Sequence, residues 1–186
     1  MDPQKKIAVL GSTGSIGVQT LDIIAEYPDR FRATVLVAGR NVELLISQAR
    51  QHRPNLAVIA DESLYPTLRD ALAPLGIETA AGANAITDAM ERDDVDTVVT
   101  ATVGYSGLAP TLRAIDAGKQ IALANKETMV VAGELVTRRL DNSPSRIIPV
   151  DSEHSAIYQC MAGEESSTVK KLLITACLLY TSDAAD

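Results

Sequence analysis

Short apolar runs alternate with longer segments of helical period along most of the chain. Residues 7–10 form a continuous apolar run closed by Gly11, the pattern of a buried strand. Over 14–27, Ile16, Leu21 and Ile24 recur near helical spacing, and Pro28 stops the helix. Residues 33–38 read as a second strand ended by Gly39. Residues 42–52 then set Leu45, Ala49 and His52 on one helical face before Pro54. A third strand at 56–60 is followed by helices at 62–75 and 83–92, with a short strand at 77–79 between them. Strands at 97–101 and 120–124 are each followed by an apolar stripe. The first is Leu108, Leu112 and Ile115, the second Met129, Ala132, Val136 and Leu140. A further strand lies at 147–150.

Strands buried on both faces and separated by helices argue for a parallel sheet covered by helices. Right-handed crossovers make it an α/β, doubly wound, mostly parallel Rossmann-like sheet, with the loops that follow the strands along one edge. Late in the chain the pattern weakens. Residues 169–175 look like a strand, but 177–186 continue without turn, cap or period.

Composition narrows the class. The 186 residues correspond to about one domain, and 46% apolar with 22% charged residues is a folded, soluble balance. Seventeen Lys and Arg against 24 Asp and Glu, with 3% aromatics, argue against a nucleic-acid partner. No run approaches ~18 apolar residues, so no membrane span is expected. Two cysteines, Cys160 and Cys177, and a start without a signal-peptide core point to a reducing, cytoplasmic setting.

Candidate chemistry begins at Gly11-Ser12-Thr13-Gly14-Ser15-Ile16-Gly17, directly after the first strand. Its GxxGxxG spacing is one residue from the commoner GxGxxG. Gly11 would allow the tight turn, Gly14 close approach to a pyrophosphate, and Gly17 close packing of helix on strand. Free amides and the helix dipole suit an anion, and Ser12, Thr13 and Ser15 add hydroxyl donors. The alternative is a glycine turn that binds nothing. The second strand ends in Gly39-Arg40-Asn41, with no acid before Glu43. A cation where an NAD site wants a carboxylate favours NADPH, provided no acidic residue fills the surroundings of Arg40. Arg40 as an unliganded surface residue is the alternative.

Asn125-Lys126-Glu127 ends the strand at 120–124. Lys126 there can neutralise a phosphate or polarise a carbonyl, and Asn125 and Glu127 can orient a ribose or nicotinamide. A helix cap explains Asn125 and Glu127 equally well, but leaves Lys126 at the wrong pole. Asp151-Ser152-Glu153 closes the strand at 147–150. If extended, it points two carboxylates to one side, a start for Mg²⁺ or Mn²⁺, with His154 facing away. The alternative is again a helix cap. His52, on an apolar stripe, reads as structural.

Four stretches in order resemble the 1-deoxy-D-xylulose 5-phosphate reductoisomerase family: 7–17, 37–42 (Val-Ala-Gly-Arg-Asn-Val), 123–127 (Leu-Ala-Asn-Lys-Glu) and 149–157 (Pro-Val-Asp-Ser-Glu-His-Ser-Ala-Ile). The resemblance implies an NADPH-dependent oxidoreductase and isomerase of the non-mevalonate isoprenoid pathway, homodimeric at full length, acting with a divalent metal on a phosphorylated sugar. It implies NADPH contacts from Thr13, Gly14, Ser15, Ile16, Gly39, Arg40, Asn41, Asn125 and Glu127. Lys126, Ser152 and Glu153 would meet substrate, with Lys126 and Glu153 catalytic, and Asp151 and Glu153 would bind metal. On this reading 1–150 is the NADPH-binding domain, 151–176 the start of a catalytic domain, and 177–186 an unrelated tail. In place of the family's Ser-Gly-Gly-Pro stands Cys177, so the chain reads as an N-terminal portion, inactive alone. The competing classes are a metal-independent NADP-dependent dehydrogenase and a nucleotide-binding module.

Overall fold

A computed structural model of the chain describes residues 3–173. Seven strands form one sheet: β1 (Lys5–Leu10), β2 (Phe31–Ala38), β3 (Leu56–Ile59), β4 (Glu78–Ala81), β5 (Thr97–Thr100), β6 (Gln120–Leu123) and β7 (Arg146–Pro149). Every neighbouring pair is parallel, in the order β4-β3-β2-β1-β5-β6-β7. The connecting helices are α1 (Ser15–Glu26), α2 (Val42–His52), α3 (Tyr65–Leu72), α4 (Gly82–Asp88), α5 (Leu108–Asp116) and α6 (Glu127–Leu140). Helix α7 (Ser152–Met161) follows β7.

Side-chain alternation along β1 explains the two layers. Ile7 and Val9 pack with Leu21 and Ile24 of α1, Leu45 and Ala49 of α2, and Leu68 and Leu72 of α3. Ala8 and Leu10 face the other way, onto Met90, Ala114 and Ile115, and Val136 of α6. The doubly wound arrangement is therefore as expected. Because all strands are parallel, their carboxyl ends share one edge, and β1, with neighbours from both halves, forms the crevice where ligands collect in such sheets.

Several element boundaries differ from the sequence reading. The single helix expected over 62–75 is a 3₁₀ turn, α3 and a second 3₁₀ turn, with Pro66 and Pro74 near the starts of the latter two. Over 83–92 the helix tightens to 3₁₀ at Ala89–Glu91. Helix α6 is kinked at Ala132 (φ −134°, ψ 23°), so Val136 is buried while Met129 is exposed. In β2 the register shifts against β1 between Ile7 and Ala8, skipping Thr34, whose hydroxyl donates to the Ile7 carbonyl. Residues 169–173 form no strand, and none of the described residues pairs with them; the rest of the expected strand, with the stretch from Cys177 onward, lies outside the described residues.

The amino-terminal edge of the sheet is tied by a polar network. Arg92 bonds Asp94 and Glu78, Asp94 accepts from Asn55 Nδ2, and Lys119 donates to the Arg92 carbonyl. The Arg92 guanidinium, then Asn55, holds the Asp94 carboxyl below its ordinary value. A carboxyl depressed in the folded state stabilises the fold above its unfolded pKa, and that contribution is lost as the pH falls through the folded one. Wild type should therefore lose stability as the pH drops below about 4, and Asp94→Asn should flatten this slope in urea melts while costing about 1–3 kcal/mol at pH 7.

Candidate functional site at the carboxyl edge of the sheet

Gly11 turns the chain out of β1 with φ +79°, and a Cβ there would meet the Ala101 carbonyl oxygen at 2.7 Å. At Gly17 a Cβ would lie 2.2 Å from the Gly11 carbonyl oxygen, so α1 sits directly on the turn. Gly14 precedes α1 in extended conformation; no side chain caps the helix and no acid stands in its first turn. The first amides of α1, at Ser15, Ile16 and Gly17, thus point outward at the positive end of a 12-residue helix. Gly14 and Ser15 are exposed, and Thr13 and Ile16 half-buried. Ser12 corrects the expectation of a hydroxyl donor. It is fully buried, and its Oγ has no partner among the described residues.

Beside the turn lies a small cavity of about 110 Å³, lined by Gly11, Val37, Gly39, Ile86, Thr102 and Ser106 among others. Thr102 contributes a buried Oγ1 without a partner among the described residues. A broader concavity of about 660 Å³, around Lys6, Asp96 and Gln120, lies at the opposite edge, away from every predicted site residue.

Arg40 leaves the end of β2 with an 87% exposed side chain, and Asn41 caps α2 by accepting from the Leu44 amide at 3.2 Å. An acid does stand beside Arg40. Asp61, at the end of β3, accepts from its Nε at 3.1 Å. Ser63, through hydroxyl and amide, holds the Asp61 carboxyl below its usual range, and Arg40 adds to this. Only one edge of the guanidinium is engaged, so both terminal nitrogens stay exposed. Sequence reasoning missed Asp61, although parallel strand ends share an edge and Asp-x-Ser is a turn signal.

Asn125 takes the capping role. It is 2% exposed, its Oδ1 accepts from the Thr128 amide and hydroxyl at 2.9 Å, and its Nδ2 donates to the carbonyls of Thr102 (2.6 Å) and Gly104 (2.9 Å). Its side chain is committed inside the protein, which corrects the picture of a free ligand group. Lys126 and Glu127 are exposed at the start of α6.

Helix α7 overturns the extended geometry expected at 151–153. Asp151 is its cap, accepting from the His154 amide at 2.8 Å, and Glu153 lies in the first turn. His154 consequently faces Asp151 rather than away from it, Nδ1 to Oδ2 2.8 Å. That Oδ2 is buried without an aligned hydrogen bond. Glu153 is held below its usual pKa by the Ser152 hydroxyl (2.8 Å), then by its own amide, with the positive charge of Lys126 contributing. The Lys126 charge thus reaches Glu153 from the neighbouring strand end. Gly14 follows β1 and Glu153 follows β7, three strands along the ladder, so both stand on the same rim of the sheet. His52 ends α2 at the other edge, where burial pushes its pKa down and Asp22 opposes the shift.

Fold and rim together define a doubly wound domain of the dinucleotide-binding type. The family model of 1-deoxy-D-xylulose 5-phosphate reductoisomerase matches residues 7–133, and that of the reductoisomerase C-terminal domain matches 147–178. The chain belongs to the 1-deoxy-D-xylulose 5-phosphate reductoisomerase family. It is 56% identical to the reductoisomerase of Porphyromonas gingivalis over 173 residues, covering 93% of this chain and 45% of that protein. The Bacteroides thetaiotaomicron protein is 52% identical, with 93% and 44% covered. The Zymomonas mobilis reductoisomerase, solved in complex with NADPH, superposes with a TM-score of 0.82 at 45% identity over 86% of this chain and 42% of that one. A second solved reductoisomerase, with NADPH, fosmidomycin and magnesium, gives 0.80 at 39% identity over 84% and 38%. The chain thus spans less than half the length of these relatives.

Replacing Asn125 by Ala strands one amide and two carbonyls, so urea melts should show a loss of about 1–3 kcal/mol. An unchanged midpoint would contradict the cap.

Proposed function

We propose that this chain is the nucleotide-binding part of a reductoisomerase that converts 1-deoxy-D-xylulose 5-phosphate to 2-C-methyl-D-erythritol 4-phosphate, with NADPH and a divalent metal, in isoprenoid precursor synthesis. The observation that carries the reading is the meeting on one rim of outward amides, an exposed Arg40 fork, Lys126 and two carboxylates, in a chain of this family. The domain division at residue 150 follows the same logic, since α7 begins the carboxylate region.

The residues fit a dinucleotide. The amides of Ser15, Ile16 and Gly17 suit a pyrophosphate, and Gly14 leaves room above it. Gly39 and the terminal nitrogens of Arg40 suit a 2′-phosphate, while Thr102 Oγ1 in the small cavity is a polar atom awaiting a partner. Asn41 and Asn125 act through the loops they brace, and Glu127 flanks the nicotinamide end. The metal fit rests on the buried Asp151 Oδ2, which has the His154 ring beside it but no aligned hydrogen bond, and on the ionised Glu153, hard oxygen donors for Mg²⁺ or Mn²⁺.

When bound, NADPH supplies hydride and the cation supplies Lewis acidity toward the carbonyl. The chain's own contribution is placement. Lys126 holds the phosphorylated sugar's negative charge, Ser152 donates a hydrogen bond, and Glu153 faces the reacting oxygens. The assembled enzyme would be a homodimer acting in the cytoplasm. Among the described residues no helix is long and apolar enough to cross a membrane.

Titration of the chain should show NADPH bound more tightly than NADH. Arg40→Ala should weaken NADPH about 10–100-fold, the worth of a charge-assisted hydrogen bond, and leave NADH unaltered. Equal affinities in the wild-type chain would overturn the 2′-phosphate assignment. In a full-length reductoisomerase carrying these residues, Asp151→Asn should lower metal-dependent turnover by at least about 100-fold while sparing NADPH affinity. Undiminished turnover would favour the metal-independent reading, in which Asp151 merely caps α7.

A further inference from the structure

One buried polar side chain is not explained by any role assigned so far. Gln48 lies in α2 between Leu45 and Ala49, is 6% exposed, and reaches 36 residues back along the sequence. Its Nε2 donates to the Ser12 carbonyl at 2.8 Å, inside the turn that carries the outward amides. Its Oε1 is buried without a partner among the described residues. The stranded Oε1 offsets much of what the Nε2 bond to the buried Ser12 carbonyl contributes, so the net worth of this amide to stability is small. Stability therefore does not account for glutamine here.

Geometry does. The Ser12 amide donates to the Val37 carbonyl at 2.9 Å, and its carbonyl is gripped by Gln48, so both faces of this residue's backbone are tied. The next residues, Thr13 and Gly14, lead into the open amides of α1. Helix α2 also starts at the Arg40–Asn41 turn, two helical turns before Gln48. One rigid element thus carries the turn holding the 2′-phosphate cation and a clamp on the pyrophosphate loop.

We propose that Gln48 is a positioning residue: it holds the Ser12–Gly17 loop in its phosphate-binding shape and ties that loop to the Arg40 turn. The proposal rests on the dinucleotide reading above and names a residue outside its contact set. Gln48→Met and Gln48→Leu are made in this chain and read in three ways. The melting temperature should move by no more than about 2–4 °C, since each substitution removes the stranded Oε1 but also strands the Ser12 carbonyl. The Kd values for NADPH and NADH should both rise about tenfold, unlike the NADPH-selective effect of Arg40→Ala. Hydrogen exchange at the Ser12 and Gly14 amides should quicken by about tenfold. Unchanged affinity with unchanged exchange would overturn the proposal, as would loss of fold in both variants, which would assign Gln48 to stability. If the wild-type chain binds neither nucleotide, the dinucleotide reading fails on its own, and the exchange measurement still decides whether Gln48 shapes the loop.

Discussion

Helix α1 rests on the turn after β1 with no side chain between them, and the rim is built outward from that contact. A methyl group at Gly17 would fall well inside van der Waals contact distance of the Gly11 oxygen. The helix start therefore approaches the strand end as closely as backbone allows, and its unbonded amides are delivered to the crevice between β1 and β5. Parallel pairing does the rest, since each later strand brings its following loop to the same edge. Asp61, Asn125 and Asp151 share this rim because each follows a parallel strand, although up to 90 residues of sequence separate them.

Capping and chemistry, set as alternatives at Asn125 and Asp151, do not exclude one another. Asn41 and Asp151 both accept from amides in the first turns of their helices, and Asn125 does the same for α6. In a parallel α/β sheet the helices begin where the strands end, so a cap stands at the ligand-facing edge by construction. The cap leaves different residues free. Arg40, Lys126 and Glu153 each sit one or two positions from a capping residue and are exposed because their neighbour does the bonding.

The strands were legible because they are apolar on both faces, and 7–10, 56–60 and 97–101 stand out without any knowledge of their partners. Long-range features were less so. The skipped residue in β2 depends on Thr34 finding the Ile7 carbonyl, and the acid beside Arg40 comes from another strand's loop. The geometry at 151–153 was misjudged because Asp-Ser-Glu suits an extended end and a helix start alike. The cap to the His154 amide decides between them, and that bond is invisible in a list of residue types. Ser12 was offered as a donor on its chemistry alone, and burial removes it.

The outer strands of the sheet have a consequence for how the domain behaves in solution. Strand β7 ends in Pro149, which has no amide hydrogen to lend, and β4 begins with Glu78, whose charge is held by Arg92. A seven-stranded sheet open at both sides is a template for unwanted strand addition, and an edge proline and an edge charge are the usual deterrents. Each outer strand of this sheet therefore carries its own deterrent to edge-to-edge pairing.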